Sequence, residues 1–514
     1  MNRDSLGFMK IPNKSRILAL QFGGLGDLVL FSELIGSLKA RHPEWTITMV
    51  CRAEFAAIAS LFPVAADEVI GLELNPYLAD SPSDELRSSL ESLVQRFKGF
   101  QTDILIDGSL RPTWLTWFVA ALLRTGVSFC CADGNEPRVM LSIIREWFDL
   151  PPSEFINLGP PPEIHERDRY GLLLDYLGVP RASVFPWHLP LEWGPQARDW
   201  LDEKGLVEGN FVACIPGGAA GASVKRWPRA NFILTLDWIR SQGFPVLLFG
   251  DAAEQEELTA IAHALAGAPA PVFCGNSTTL PLAATVLAKA ACYLGNDTGP
   301  THLAQAYDIP GVAIFGGGVT WQRYAPWAAG SIGLVHPLPC FGCNWDCFLG
   351  RGLCVDSVSV KAVCEAVWNA LSGPASKPKM LSVGTIDPNL VPLIAEASAR
   401  YRSAQEDRAR RLEVIFELAN ANQRLRASEA QANAIRAEAD ARIGEIETAA
   451  KERLALLESI HTEAATRYSL IEELTTAVKE RESRIAGLER RLAARTSRTR
   501  NRRPTAQTTR KPVQ

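Results

Sequence analysis

The apolar run at 290–294 passes without a break into Gly295-Asn296-Asp297-Thr298-Gly299-Pro300-Thr301-His302. That pattern commits the chain to a buried strand feeding straight into a helix. The junction gathers backbone N–H groups, a hydroxyl, a carboxylate and an imidazole at one helix N-terminus, where unpaired N–H groups and the helix dipole both favour an anion such as phosphate. A second junction lies far upstream. Residues 16–22 read as a strand, Gly23-Gly24-Leu25-Gly26-Asp27 as a tight turn, and 28–39 as a helix. The glycines allow close backbone approach to a ligand and Asp27 puts a carboxylate at the mouth of a cleft, but the spacing is not G-x-G-x-x-G. Taken alone, such a turn is equally compatible with a structural role.

Further segments follow in order. A strand at 211–215 leads to Pro216-Gly217-Gly218, Lys225-Arg226-Trp227-Pro228 precedes a helix from about Ala230, and a strand at 246–249 ends in Gly250-Asp251. Together these residues resemble glycosyltransferase family 9, the bacterial heptosyltransferases of lipopolysaccharide synthesis, over residues 15–372. The block from Gly295 to His302 is the most specific part of the match. The resemblance implies an α/β fold of two Rossmann-like domains facing a cleft, the GT-B arrangement, with a nucleotide sugar against the C-terminal domain.

The sequence pattern agrees with such a fold. Five short apolar runs alternate with amphipathic stretches up to residue 130, which predicts a mainly parallel, two-sided sheet. The N-terminal domain is expected over 15–193, including a proline-rich crossover from about 150 and a helix at 168–177. The second domain is expected over 194–371, with strands near Phe211, Val246, Val272, Cys292 and Val312. Residues 114–123 are apolar enough to raise membrane contact, but their place after a strand fits a packed helix better. An apolar fraction of 47% with 21% charged residues describes an ordinary soluble chain, and a net charge of −4 identifies no partner, nucleic acid included. With no run of eighteen apolar residues and no apolar core near the N-terminus of the sequence, a cytoplasmic protein is expected, with peripheral contact at the inner face of the bacterial inner membrane left open.

Sugar transfer with inversion needs a base to take the proton from the acceptor hydroxyl. By the resemblance this is Asp27; its competing role is to cap the following helix. The departing diphosphate needs fixed positive charge. Lys225 is expected there, with Gly26, Gly217, Asp297, Thr298, Gly299 and His302 in donor binding and Glu254 on the ribose hydroxyls. Helix caps at Asp297, a satisfied internal His302 and a surface Glu254 are the plain alternatives. No acidic D-x-D motif occupies these segments, so transfer is expected to need no metal. Against the family pattern, Gln21 replaces a frequent arginine and Glu33 a frequent proline, which implies altered charge beside the cleft.

Cys340, Cys343, Cys347 and Cys354 crowd one loop, and in a reducing compartment they suggest structural zinc or iron as much as packed free thiols. Cys51, Cys130, Cys131, Cys214, Cys274, Cys292 and Cys364 read as buried small hydrophobes. Beyond a linker at 372–394, residues 395–495 lose almost all Gly and Pro. One heptad frame there places Ile443, Ala450, Leu457, Ala464, Ile471, Val478, Ile485 and Leu492 at a, with Arg453, Arg467, Arg481 and Arg495 at alternate d positions. This predicts a coiled coil and a homo-oligomer, followed by a basic disordered tail at 496–514. The expected function is an inverting transferase moving heptose from ADP-heptose to a lipopolysaccharide or other surface-glycan acceptor. A protein-directed heptosyltransferase with a metal-binding cysteine loop and a noncatalytic coiled-coil scaffold are the alternatives.

Overall fold

The computed structural model describes residues 12, 14–77, 83–110, 113–130, 138–159, 161, 163–188, 191–218, 224–318, 321–343, 345–373, 376–384 and 386–434, with scattered positions at 451–462. Met1–Phe416 form one compact unit and Glu417–Gln514 a second.

The first half of the larger unit runs β1 (Arg16–Gln21), α1 (Leu25–Arg41), β2 (Thr46–Arg52), β3 (Glu68–Leu72), α2 (Asp84–Arg96), β4 (Ile104–Asp107), α3 (Trp114–Leu123), β5 (Val127–Cys130), α4 (Arg138–Phe148), β6 (Ile156–Asn157) and α5 (Glu166–Tyr176). The second half runs α6 (Gly194–Glu203), β7 (Val212–Ile215), α7 (Arg229–Ser241), β8 (Val246–Asp251), α8 (Gln255–Ala264), β9 (Val272–Gly275), α9 (Leu280–Leu287), β10 (Cys292–Asn296), α10 (Gly299–Ala306), β11 (Gly311–Phe315), β12 (Ile332–Val335), α11 (Leu353–Asp356), α12 (Val360–Ser372) and β13 (Lys379–Ser382), before α13 (Leu390–Ala434). The strands build two parallel sheets, ordered β3-β2-β1-β4-β5-β6 and β13-β12-β11-β10-β7-β8-β9.

The central strands β4, β7 and β10 are buried at every position, as continuous apolar runs must be when helices cover both faces of a parallel sheet. The apolar helix α3 packs into one of these layers through Trp114, Leu115, Phe118 and Val119, which accounts for its hydrophobicity. No described helix is long and apolar enough to cross a membrane.

Three strands escaped the sequence pattern. β6 is a two-residue edge strand inside the proline-rich crossover, and β12 is a short buried strand late in the second domain. β13 falls within the segment expected as a linker; it is largely exposed, so its apolar signal is faint, and only its pairing with β12 (Ile332 opposite Lys379) defines it. α13 also starts as part of the body. Ile394 is buried against Leu338 and Cys340, and the Tyr401 hydroxyl donates to Asp346 at 2.7 Å. The heptad positions Ile443 to Leu492 and the basic tail lie outside the described residues. A chain ending after Phe416 should therefore melt at the temperature of the full protein. One ending at Ser372, which loses β13 and the Ile394 contact, should melt several degrees lower; equal thermal melts for the two truncations would contradict this assignment of β13.

Candidate active site at the paired switch points

In each sheet the strand order reverses at one place, between β1 and β4 in the first and between β7 and β10 in the second. In open parallel sheets, ligands bind outside the carboxyl ends of the strands at such a reversal. Gly26 and Asp27 follow β1, Gly217 and Lys225 follow β7, and Asp297, Thr298 and Gly299 follow β10. The fold thus delivers these expected residues to two crevices, and α1 meets α10 between them. A Cβ at Gly26 would lie 2.6 Å from His302 Cδ2, and one at Gly299 would lie 2.7 Å from Leu25 Cβ and 3.2 Å from the Gly26 nitrogen. Glycine at both places is what lets the two helix starts touch, bringing two positive dipole ends to one region.

Asp27 occupies the third position of α1. Its Oδ2 accepts the Gly24 N–H at 2.8 Å, the capping role, while Oδ1 accepts the Tyr324 hydroxyl at 2.8 Å from the opposite domain. Removal from water and the nearby Glu166 carboxyl raise its pKa above the usual carboxylate range, against the opposing pull of Tyr324, Gly24 and His302. Capping and proton acceptance are compatible, because each carboxylate oxygen carries a second lone pair.

On the facing side Lys225 Nζ donates to the Asp297 carbonyl at 3.1 Å and lies 5.0 Å from the centre of the Trp345 ring. Burial lowers the pKa of this ammonium, while Asp297 and Asp27 hold it up. Thr298 caps α10, its N–H donating to Thr301 Oγ1 at 3.2 Å. His302 is buried, with Nε2 3.4 Å from Asp297 Oδ1, and its Nδ1 has no hydrogen-bond partner among the described residues. The N-cap of α10 is Thr298 and not Asp297, and His302 meets Asp297 through one ring nitrogen while the other is buried without a partner among the described residues. Glu254 Oε1 accepts the Gly218 N–H at 2.8 Å and its Oε2 the Asp251 N–H at 3.1 Å, so it braces the Gly217 turn and is not a plain surface glutamate.

Three contributors were not singled out from the sequence. Asn296 is fully buried and donates to the carbonyls of Pro216 (2.7 Å) and Gly217 (3.0 Å) while accepting the Trp227 N–H (3.0 Å), tying the loops after β7 and β10 together. Its position inside the Gly295–His302 block was the available signal. Tyr324 and Trp345 carried none, since each reaches the site from a distant loop. Gln21 does not face the cleft as expected; it is buried, donating to Gly108 O at 2.8 Å and Tyr170 at 2.9 Å, whereas Glu33 is paired with Arg167 and Arg181.

Among the described residues no three His, Cys, Asp or Glu side chains are gathered so as to hold a metal ion. Cys343 Sγ donates to Gly317 O at 3.0 Å and Cys347 Sγ to Arg351 O at 3.0 Å. The loop instead packs on the turn after β11 and supports Trp345 over Lys225. Among the remaining cysteines, Cys51, Cys130, Cys214 and Cys292 are buried, Cys274 and Cys364 only partly so because they sit near the surface of the sheet edge and of α12, and Cys131 lies outside the described residues.

Two facing Rossmann-like domains with a carboxylate and a cation at their switch points define a GT-B transferase site. A model of glycosyltransferase family 9 (heptosyltransferase) matches residues 163–344. Lipooligosaccharide heptosyltransferase 2 of Haemophilus influenzae is 31% identical over 322 residues, covering 60% of this chain and 85% of that protein. Lipopolysaccharide heptosyltransferase 2 of Salmonella typhimurium is 27% identical over 312 residues, covering 59% of this chain and 82% of that protein. The crystal structure of a family 9 glycosyltransferase from Veillonella parvula superimposes with a TM-score of 0.58 at 20% identity, covering 71% of this chain and 99% of that one, a likeness of fold. The chain belongs to glycosyltransferase family 9 and is a glycosyltransferase.

Proposed function

We propose that this enzyme transfers heptose from ADP-heptose to a lipopolysaccharide or related surface-glycan acceptor, with inversion at the anomeric carbon. The observation that carries the reading is the contact of the α1 start, which bears Asp27, with the α10 start, beside which Lys225 lies within the electrostatic reach of Asp27. The names of the relatives support heptose and a lipopolysaccharide acceptor.

In the proposed reaction the acceptor hydroxyl donates to the Asp27 carboxylate and attacks the anomeric carbon as its proton passes to that carboxylate. The bond from that carbon to the diphosphate oxygen breaks on the opposite side. Negative charge then grows on the diphosphate, where the Lys225 ammonium and the N–H groups of Thr298 and Gly299 stabilise it without reorganising. His302 donates to phosphate or sugar, and Gly26 and Gly217 let the backbone come close. Glu254, committed to two backbone N–H groups, contributes by holding the Gly217 turn. Lys225 and the helix start supply the positive charge, so no metal is assigned to the transfer.

A donor panel tests the substrate. In titrations with ADP-heptose, UDP-sugars and GDP-sugars, ADP-heptose should bind most tightly and alone support acceptor-dependent release of its nucleoside diphosphate. Preferential binding of a UDP- or GDP-sugar would overturn the donor assignment.

Residues 443–492 are proposed to associate as a coiled coil, supported by the apolar a positions. Sedimentation of the full chain and of one ending after Phe416 should give an oligomer and a monomer; a monomeric full chain at micromolar concentration would make the helix a partner-binding arm. Peripheral contact of the tail 496–514 with anionic lipid is proposed from its run of arginines without acids.

A further inference from the structure

We propose that Tyr324 is the positioning residue for Asp27, holding the carboxylate in its reactive orientation and setting its basicity from across the cleft. Tyr324 ends a short helical turn (Trp321–Tyr324) of the donor-side domain, nearly three hundred residues beyond Asp27, yet its hydroxyl reaches Oδ1 at 2.8 Å. Its ring also packs edge-on against His302, with centroids 5.8 Å apart and planes at 60°. One side chain of the donor domain therefore touches both the base of the acceptor domain and a donor-side histidine.

The consequences follow from what a hydrogen bond to a carboxylate does. The Gly24 N–H fixes Oδ2 and the Tyr324 hydroxyl fixes Oδ1, so the carboxylate plane is held at both oxygens and the remaining lone pairs have defined directions. Because the phenol belongs to the donor domain, this geometry exists only when the two halves are together, and the base is aligned in the state in which donor and acceptor can meet. The same bond favours ionised Asp27 against the burial and the Glu166 charge that oppose it. The other titratable groups acting on Asp27 are His302 from α10, Lys225 from the loop after β7, Arg52 at the end of β2, Tyr170 from α5 and Tyr77 after β3. The side-chain hydrogen bond it accepts comes from Tyr324 and from none of these five.

The test is Tyr324→Phe, which removes the hydroxyl and keeps the ring on His302. It rests on Asp27 as the base, and the controls separate the two claims. In the variant kcat should fall roughly tenfold, the scale of one hydrogen bond to a charged group, with the donor KM within about twofold of wild type. The acid limb of the kcat profile should move to higher pH by about one unit, because the lost bond had lowered the pKa of the base. In a double-mutant cycle, Tyr324→Phe should add nothing to Asp27→Asn, since a residue acting through Asp27 has nothing left to act on. An unmoved acid limb, or a full additional loss in the double variant, would make Tyr324 a packing residue and overturn this inference while leaving Asp27 as the base. If Asp27→Asn itself keeps normal turnover, the failure lies with the base assignment. Should Tyr324→Phe lower the melting temperature enough to obscure its kinetics, carbon-13 titration of the aspartate carboxyls in the intact wild type decides: Asp27 insulated from the Tyr324 hydroxyl overturns the inference.

Discussion

Replacing Asp27 with Asn is expected to lower turnover by roughly a hundredfold or more, the contribution of a positioned general base. That corresponds to about 3 kcal/mol of transition-state stabilisation. Donor affinity should stay near its original value, because Asn keeps the shape of the side chain and its Oδ1 can still accept the Gly24 N–H that caps α1. The two oxygens are held separately, Oδ2 by the capping Gly24 N–H and Oδ1 by the Tyr324 hydroxyl, so loss of the cap and loss of the proposed base can be told apart. A stability loss with intact turnover would assign Asp27 to capping alone. Steady-state kinetics, donor titration and thermal melting on the same preparation separate the outcomes. The raised pKa of Asp27 fixes the sign of the pH dependence: the base must be ionised, so activity should fall on acidification at a pH above the ordinary carboxylate range.

Replacing Lys225 with Ala should act on both binding and rate. The ammonium sits on the Asp297 carbonyl beside the start of α10, so in the proposed reaction its loss removes charge from both the bound and the departing diphosphate. Donor Kd should rise at least about tenfold, on the scale of a charged hydrogen bond, and kcat should fall by roughly a hundredfold, as for a lost preorganised donor. Lys225→Arg tests charge separately from shape, since guanidinium and ammonium differ in geometry. A Lys225→Ala enzyme that binds donor normally would place the diphosphate elsewhere.

Much of the fold was legible because it is written in local chemistry. Residues 17–21 and 292–294 are apolar runs bounded by glycine turns, and a covered parallel sheet requires that signal. Asp27, Lys225, Asp297, Thr298, Gly299 and His302 stood in junctions between strand and helix, and the two sheets bring those junctions to their switch points. What could not be read was contact at long range. Tyr324 touches Asp27 only because two domains close on one another, and Trp345 covers Lys225 only because the cysteine loop folds back on the turn after β11. β13 was hidden for a different reason: an exposed edge strand has neither alternation nor a continuous apolar run, and its partner is distant in sequence. For the Cys340–Cys354 loop the spacing left metal binding and packed thiols equally open, and it could not show that Cys343 and Cys347 turn to backbone carbonyls. The brace that Glu254 forms on the Gly217 turn could not be read either, because it depends on backbone donors whose positions only the folded loops define.

The account rests on a single displacement at the anomeric carbon, with Asp27 taking the acceptor proton and no covalent sugar–enzyme intermediate. The measurement that tests it most directly is the anomeric configuration of the transferred sugar, read by proton NMR on product formed from a donor of known configuration. Every product molecule should carry the opposite configuration to that of the donor. Retention of the donor configuration would contradict it, because a single attack assisted by one base cannot produce that outcome.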